Sequence, residues 1–238
     1  MRSRNKVFFI TGTDTNVGKT LVSSLLIMAL KSAGRKPGYM KPVETGVILN
    51  ENGIKNYLDS FYVKKIAGLR ETPGDMCPFT FEKPLSPYAA SKFENKKICI
   101  KDILYSFYDL KDKFDPLIVE GAGGMLVPLK PGHFMIDLAR YMKADVIIVT
   151  RAGLGMINHT LLSIDYAKNH DIKIAGIIVN NALNETDESV LSNVDILSEF
   201  TDVPVLGNIA YINTSDLKDT GKLQAIAVKN IDIKRILV

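Results

Sequence analysis

Val7-Phe-Phe-Ile10, followed at once by Gly12-Thr-Asp-Thr-Asn-Val-Gly-Lys-Thr20, is the stretch on which the fold turns. A short, wholly apolar run is the pattern of a strand buried on both faces. The residues beyond it place Leu21, Val22, Leu25, Leu26, Ile27, Met28 and Leu30 around a helix predicted over 18–33, with Gly34 as its left-handed closing residue. Strand, loop and helix in that order make a phosphate cradle. Backbone N–H groups point into one concavity, the positive end of a helix dipole lies behind them, a Lys reaches the outer phosphates, and a Thr hydroxyl serves Mg2+. Gly18, Lys19 and Thr20 supply the last three parts. The pattern G-x-x-x-x-G-K-[ST] wants glycine at position 13; this chain has Thr13 there and carries Gly12 one residue earlier, so the loop is a variant.

Outward from that stretch the rhythm repeats. Apolar runs at 117–120, 146–150, 174–180 and 205–209 alternate with helical patterns at 156–169 and 186–200, which predicts an α/β fold of P-loop NTPase type. Its mostly parallel sheet is flanked by helices on both faces, in one domain over 1–238. Between Val43 and Phe114 the pattern weakens around Asn50, Asn52, Gly53 and Pro73, Pro78, Pro84 and Pro87, and a substrate loop is expected there. The net charge of +4 over 238 residues is spread along the chain and demands no nucleic acid, and Cys77 and Cys99 make no CxxC pair. The greasiest stretch, Leu21 to Leu30, is interrupted by Ser23 and Ser24 and falls short of a membrane span. The basic start before Val7 leads to too short an apolar run for an export signal, so a cytoplasmic protein is expected.

Two further groups belong to the same crevice. In Leu117-Ile-Val-Glu-Gly-Ala-Gly-Gly124 a carboxylate ends a buried strand and glycines follow. Ligands of open α/β sheets gather at the carboxyl ends of strands, so Glu120 is a candidate Mg2+ ligand; the plain alternative is a solvated Glu at a turn. Asp137 and Asp145 are blander, the first in a helix-like run and the second just before a strand. In Gly38-Tyr-Met-Lys-Pro-Val-Glu-Thr-Gly46, Lys41 stands where a second short strand ends, facing the phosphates, a surface charge being the alternative.

Together Gly12–Thr20, Lys41-Pro-Val-Glu-Thr-Gly46, Val119-Glu-Gly-Ala-Gly-Gly124 and Leu154-Gly-Met-Ile-Asn-His159 resemble the dethiobiotin synthetases, over about residues 5–212. The resemblance implies an ATP- and Mg2+-dependent ligase that joins CO2 to 7,8-diaminononanoate and closes a cyclic urea. Asn16, Val17, Gly18, Lys19, Thr20 and Leu21 would wrap the phosphates, with Lys19 on the γ-phosphate and carbamate and Thr20 on Mg2+. Lys41 would be the catalytic lysine. Thr15 would help hold the carbamate, and Thr45 and Ser86 would meet the diamine. Asp59 and Glu120 would share the metal with Thr20, and Gly121, Ala122 and Gly123 would approach the nucleotide.

For the base, the resemblance implies Asn180, with donor and acceptor on one side chain, and Asn181 beside it. The stretch Ala210, Tyr211 and Ile212 follows the next strand; the family usually reads Ile-Pro where this chain has Ala210. Gly155 and Asn158 open a helix whose N–H groups would receive the substrate carboxylate of a second subunit, which implies a homodimer. A helix cap is the alternative for Asn158. A partition-type or regulatory P-loop ATPase is the competing function, disfavoured because partition ATPases carry Lys at the first loop position, here Thr13.

Overall fold

The computed structural model describes residues 5–49 and 55–237. Asn50, Asn52, Gly53 and the basic start before Asn5 lie outside them. Along the chain run β1 (Val7–Gly12), α1 (Lys19–Ser32), β2 (Gly38–Met40), β3 (Val43–Thr45), β4 (Ile48–Leu49), β5 (Lys55–Asn56), α2 (Asp59–Ala67), α3 (Pro73–Met76), β6 (Phe79–Phe81), α4 (Pro87–Phe93) and α5 (Ile100–Lys111). There follow β7 (Leu117–Gly124), β8 (Pro128–Lys130), β9 (His133–Phe134), α6 (Met135–Met142), β10 (Asp145–Thr150), α7 (Met156–Lys168), β11 (Ile174–Asn180), α8 (Ser189–Phe200), β12 (Val205–Ile209), α9 (Thr220–Asn230) and α10 (Ile233–Leu237).

Among the described residues, six strands form the main sheet in the order β12-β11-β10-β1-β7-β2, and every neighbouring pair is parallel. This is the expected architecture, and its burial explains the apolar runs: Phe8, Phe9 and Ile10 of β1, and Val146 to Val149 of β10, are shielded on both faces. One core layer joins α1, part of α2 and α9 to one face. The other joins α5, α6, α7 and Leu197 of α8 to the opposite face. Helix α1 is enclosed from Val22 to Leu30, which is why its sequence is apolar nearly all round.

The structure refines three expectations. Strand β7 does not end at Glu120 but continues through Gly124, past a register shift opposite Ile10 to Gly12 of β1, where Gly123 takes the left-handed φ of 66° that a residue with a side chain rarely adopts. Thr186 precedes α8, which begins at Ser189. The supposed loop region holds α2, α3, α4 and α5; in α5, Ile100, Ile103, Phe107 and Leu110 make a buried stripe while Tyr105 and Tyr108 stand exposed. The exposed aromatics blurred the contrast on which the helical pattern is read.

Candidate active site

The loop from β1 to α1 needs two unusual backbone conformations. Asn16 (φ 59°) and Gly18 (φ 85°) lie in the left-handed region, turning consecutive N–H groups toward one side at the start of α1. The displaced first glycine has a steric reason: a Cβ on Gly12 would lie 2.5 Å from the Asp14 carbonyl oxygen and 2.9 Å from Val17 Cγ2. Asn180, at the carboxyl end of β11, donates from Nδ2 to the Val17 carbonyl at 2.9 Å and so braces the loop from behind. Lys19 folds back over the loop, its Nζ 3.4 Å from the Asp14 carbonyl oxygen.

Beside this loop, β2 ends and delivers Lys41, 3% exposed, between two carboxylates. Its Nζ is 2.7 Å from Asp59 Oδ2, at the first residue of α2, and 2.7 Å from Glu120 Oε1. The Thr20 hydroxyl donates to the same Glu120 Oε1 at 2.9 Å, and the Tyr39 hydroxyl donates to Glu120 Oε2 at 3.0 Å. Glu120 is therefore a fully enclosed carboxylate with partners on both oxygens, and the turn alternative is excluded.

Charge follows the geometry. Burial on its own lowers the Lys41 ammonium, but Glu120 and Asp59 overcome it and hold the group above the ordinary lysine range. Burial on its own raises Asp59, but Lys41 overcomes it and keeps that carboxyl below its usual value. Lys19 is lowered, first by burial and then by the like charge of Lys41. Tyr39 is pushed well up by burial and by Glu120, so its hydroxyl stays a donor.

A cavity of about 430 Å3 gathers Thr15, Asn16, Gly18, Lys19, Thr20, Lys41, Val43, Thr45, Asp59, Glu120, Ala122 and Gly123. Thr20, Asp59 and Glu120 offer one hydroxyl and two carboxylates, all hard oxygen donors, around the point held by the Lys41 ammonium. That donor set suits Mg2+, which binds through few carboxylates and keeps room for phosphate oxygens and water.

Other expected residues lie apart from this cavity. Val17 is buried beneath the loop, and Leu21 packs on the α1 side of the core. Gly121 backs the site through its carbonyl oxygen, 3.4 Å from Lys41 Nζ. Asn180 is 1% exposed with one Nδ2 hydrogen donated to the loop, and the Asn181 side chain exchanges hydrogen bonds with the Glu185 backbone. Ala210 and Tyr211 are exposed beyond β12, and Ile212 is buried. Ser86 caps α4 by position with no side-chain hydrogen bond. Gly155, left-handed at φ 86°, and Asn158 sit exposed at the start of α7, where no side chain caps the helix. Sequence reasoning gave no role to Tyr39 or Glu44; neither carries a motif signal, since Tyr39 acts by reaching across to β7 and Glu44 by reaching to the start of α2.

A glycine-bearing loop between a central parallel strand and a buried helix, with Lys, Thr and carboxylates converging on it, defines a P-loop nucleotide-binding protein. A family model described as an AAA domain matches residues 6–218. The ParA family ATPase of Chlorobium tepidum TLS superposes with a TM-score of 0.55 over 99% of this chain and 100% of its own, at 12% identity, a likeness of fold alone. The ATP-dependent dethiobiotin synthetase of Thermodesulfovibrio yellowstonii is 39% identical over 97% of this chain and 98% of its own. That of Methanococcus vannielii is 40% identical over 90% of this chain and 95% of its own. The chain belongs to the ATP-dependent dethiobiotin synthetase family.

Proposed function

We propose that the chain joins CO2 to 7,8-diaminononanoate and closes the cyclic urea of dethiobiotin at the expense of ATP. The observation that carries this reading is the convergence of Lys19, Lys41, Thr20, Asp59 and Glu120 on one cavity. One amine of the diamine adds to CO2 and loses a proton to give a carbamate. A carbamate oxygen attacks the γ-phosphorus of ATP and ADP leaves. The second amine then attacks the carbonyl carbon of the mixed anhydride, expelling phosphate and closing the ring.

The protein's part is positioning and electrostatics. Lys41, held above the ordinary lysine range, keeps its proton through neutral pH; it acts as a fixed charge on the carbamate and on the transferring phosphoryl group, not as a base. Lys19 and the loop N–H groups bind the β- and γ-phosphates. Thr20, Asp59 and Glu120 would hold Mg2+, which would supply charge neutralisation at the phosphate oxygens. Thr15 and Thr45, on the rim of the cavity, serve the carbamate and the diamine. Asn180 and Asn181, with Ala210, Tyr211 and Ile212, lie at the neighbouring carboxyl ends of β11 and β12, where the Asn181 N–H donates to the Ile209 carbonyl at 2.9 Å, and they take the base. Ser86 faces the diamine at the start of α4.

The active species is a homodimer in the cytoplasm. Leu126 and Leu162 stand exposed around a groove of about 400 Å3 that also runs along Gly12 and Thr13, and Leu154 stands exposed just before α7. Pairing α7 across a two-fold axis covers these leucines, and the N–H groups at Gly155 with Asn158 receive the substrate carboxylate bound by the other subunit. Described residues include no helix long and apolar enough to cross a membrane.

The test is ADP release with MgATP and bicarbonate, with and without 7,8-diaminononanoate, followed by mass analysis. Diamine-dependent ADP with one equivalent of dethiobiotin supports the reading. Hydrolysis indifferent to the diamine overturns it in favour of a P-loop regulator or partition-type ATPase.

A further inference from the structure

Glu44 lies between Lys41 and Gly46 in the sequence, yet it faces away from the cavity. Strand β3 pairs with β6 in the register Glu44 opposite Thr80, and strand alternation sends Val43 and Thr45 to the cavity and Glu44 to the other side. There its carboxylate is 1% exposed. A strand residue selected for packing alone is β-branched or aromatic, and an enclosed carboxylate is costly unless every oxygen is satisfied. Here both are. Oε1 accepts from the Asp59 N–H at 2.9 Å; Oε2 accepts from the Ser60 N–H at 3.2 Å and from the Ser60 hydroxyl at 2.6 Å.

These are the first two N–H groups of α2, and that helix has no side-chain cap of its own at Leu58. The missing cap is supplied fifteen residues upstream, by the segment that also delivers Lys41. Asp59 is gripped from both sides: its backbone N–H by Glu44, its carboxylate by Lys41.

We propose that Glu44 is a positioning residue for the metal–nucleotide complex: by capping α2 it fixes Asp59 against Thr20 and Glu120. This rests on the reading of Asp59 as a metal ligand given above. Glu44 touches neither substrate nor metal, and its influence passes through the backbone of Asp59. Replacement by Gln keeps the volume but puts an amide donor against N–H donors, so one end of the clamp opens.

The experiment is a Mn2+ titration of the full chain followed by electron paramagnetic resonance, with β,γ-imido-ATP present, for wild type, Glu44→Gln, Asp59→Asn and the double variant. Glu44→Gln should weaken Mn2+ binding about tenfold, as expected when a ligand's outer support is removed, while metal-free nucleotide affinity stays within about twofold. The double variant should bind Mn2+ no more weakly than Asp59→Asn alone, since the clamp has nothing left to position. Ser60→Ala, which removes one of the three donors and tests the same clamp if Glu44→Gln does not fold, should shift Mn2+ binding in the same direction by about threefold or less. Unchanged Mn2+ affinity in Glu44→Gln, or losses that add in the double variant, would overturn the proposal. If Asp59→Asn itself binds Mn2+ like wild type, the reading of Asp59 as a ligand falls first and this one with it; if Asp59→Asn weakens binding and Glu44→Gln does not, only the positioning role falls.

Discussion

At Lys41 a single side chain has two jobs that pull on the same atoms. Its ammonium neutralises Asp59 and Glu120, and under the proposed function it is also the charge that serves phosphoryl transfer. Lys41→Ala should therefore lower turnover by several orders of magnitude while leaving nucleotide bound. It should also leave enclosed Glu120 without its cation, costing about 3 kcal/mol, at the low end for a broken buried pair because Asp59 remains partly exposed. Urea unfolding measures that cost, and added Mg2+ should restore more stability to this variant than to wild type, since the same two carboxylates are then free for the metal; near-normal turnover would defeat the assignment. Lys19 gives a pH prediction with a definite sign. Burial and Lys41 lower it, so raising the pH removes its proton earlier than from an ordinary lysine, and nucleotide affinity should fall on the alkaline side. Lys19→Arg, which cannot lose its charge there, should flatten that fall even if its affinity at neutral pH is lower. Lys19, Thr20 and Lys41 were legible in the sequence because each follows a strand or opens a helix at the edge where ligands collect, and Glu120 because a carboxylate closes a wholly apolar run and glycines follow it. Glu44 and Tyr39 were not, because what each does depends on which element its neighbour in space belongs to, and spacing along the chain does not carry that.

Among elements, the junction of β1 and α1 has the narrowest tolerance. Gly18 holds φ 85°, and a Cβ there would fall 2.1 Å from Asn180 Nδ2, the amide that braces the Val17 carbonyl. Gly18→Ala must shift either the loop or β11's last residue, so it should abolish nucleotide binding by calorimetry. The strain of a non-glycine residue in this conformation adds about 1–3 kcal/mol of destabilisation in the same variant. Wild-type nucleotide affinity in Gly18→Ala would show that the loop reaches its geometry by another route. The core strands were readable because parallel strands enclosed on both faces are apolar throughout, and α1 for the same reason. Helices α2 to α5 were not: α3 is a single turn and α4 two, opened by Pro73 and Pro87, α2 takes its cap from Glu44 on β3, and α5 hides its stripe among exposed tyrosines.

For the whole molecule the question is whether one chain makes a complete site. The cavity holds the phosphate loop, Lys41 and the carboxylates, while Gly155 and Asn158, assigned to the substrate carboxylate, lie at the exposed start of α7 outside it. If a two-fold axis brings the partner's α7 to that cavity, the defects of two variants lie in different subunits of each site. Lys41→Ala removes the charge from its own cavity; Asn158→Asp places a carboxylate where the substrate's carboxylate of the other subunit should dock. Each homodimer should be nearly inactive. In the mixed dimer one site collects both defects and the other collects neither. Random exchange makes half the dimers mixed, each with one sound site in two, so a one-to-one mixture should recover about one quarter of wild-type turnover. Leu162→Glu, at an exposed apolar position on α7, should abolish that recovery, shift sedimentation to the monomer and leave nucleotide affinity unchanged, because the phosphate loop lies wholly within one chain. A mixture no more active than the mean of its two components would place Asn158 in the service of its own chain's cavity and remove the reason for a shared site.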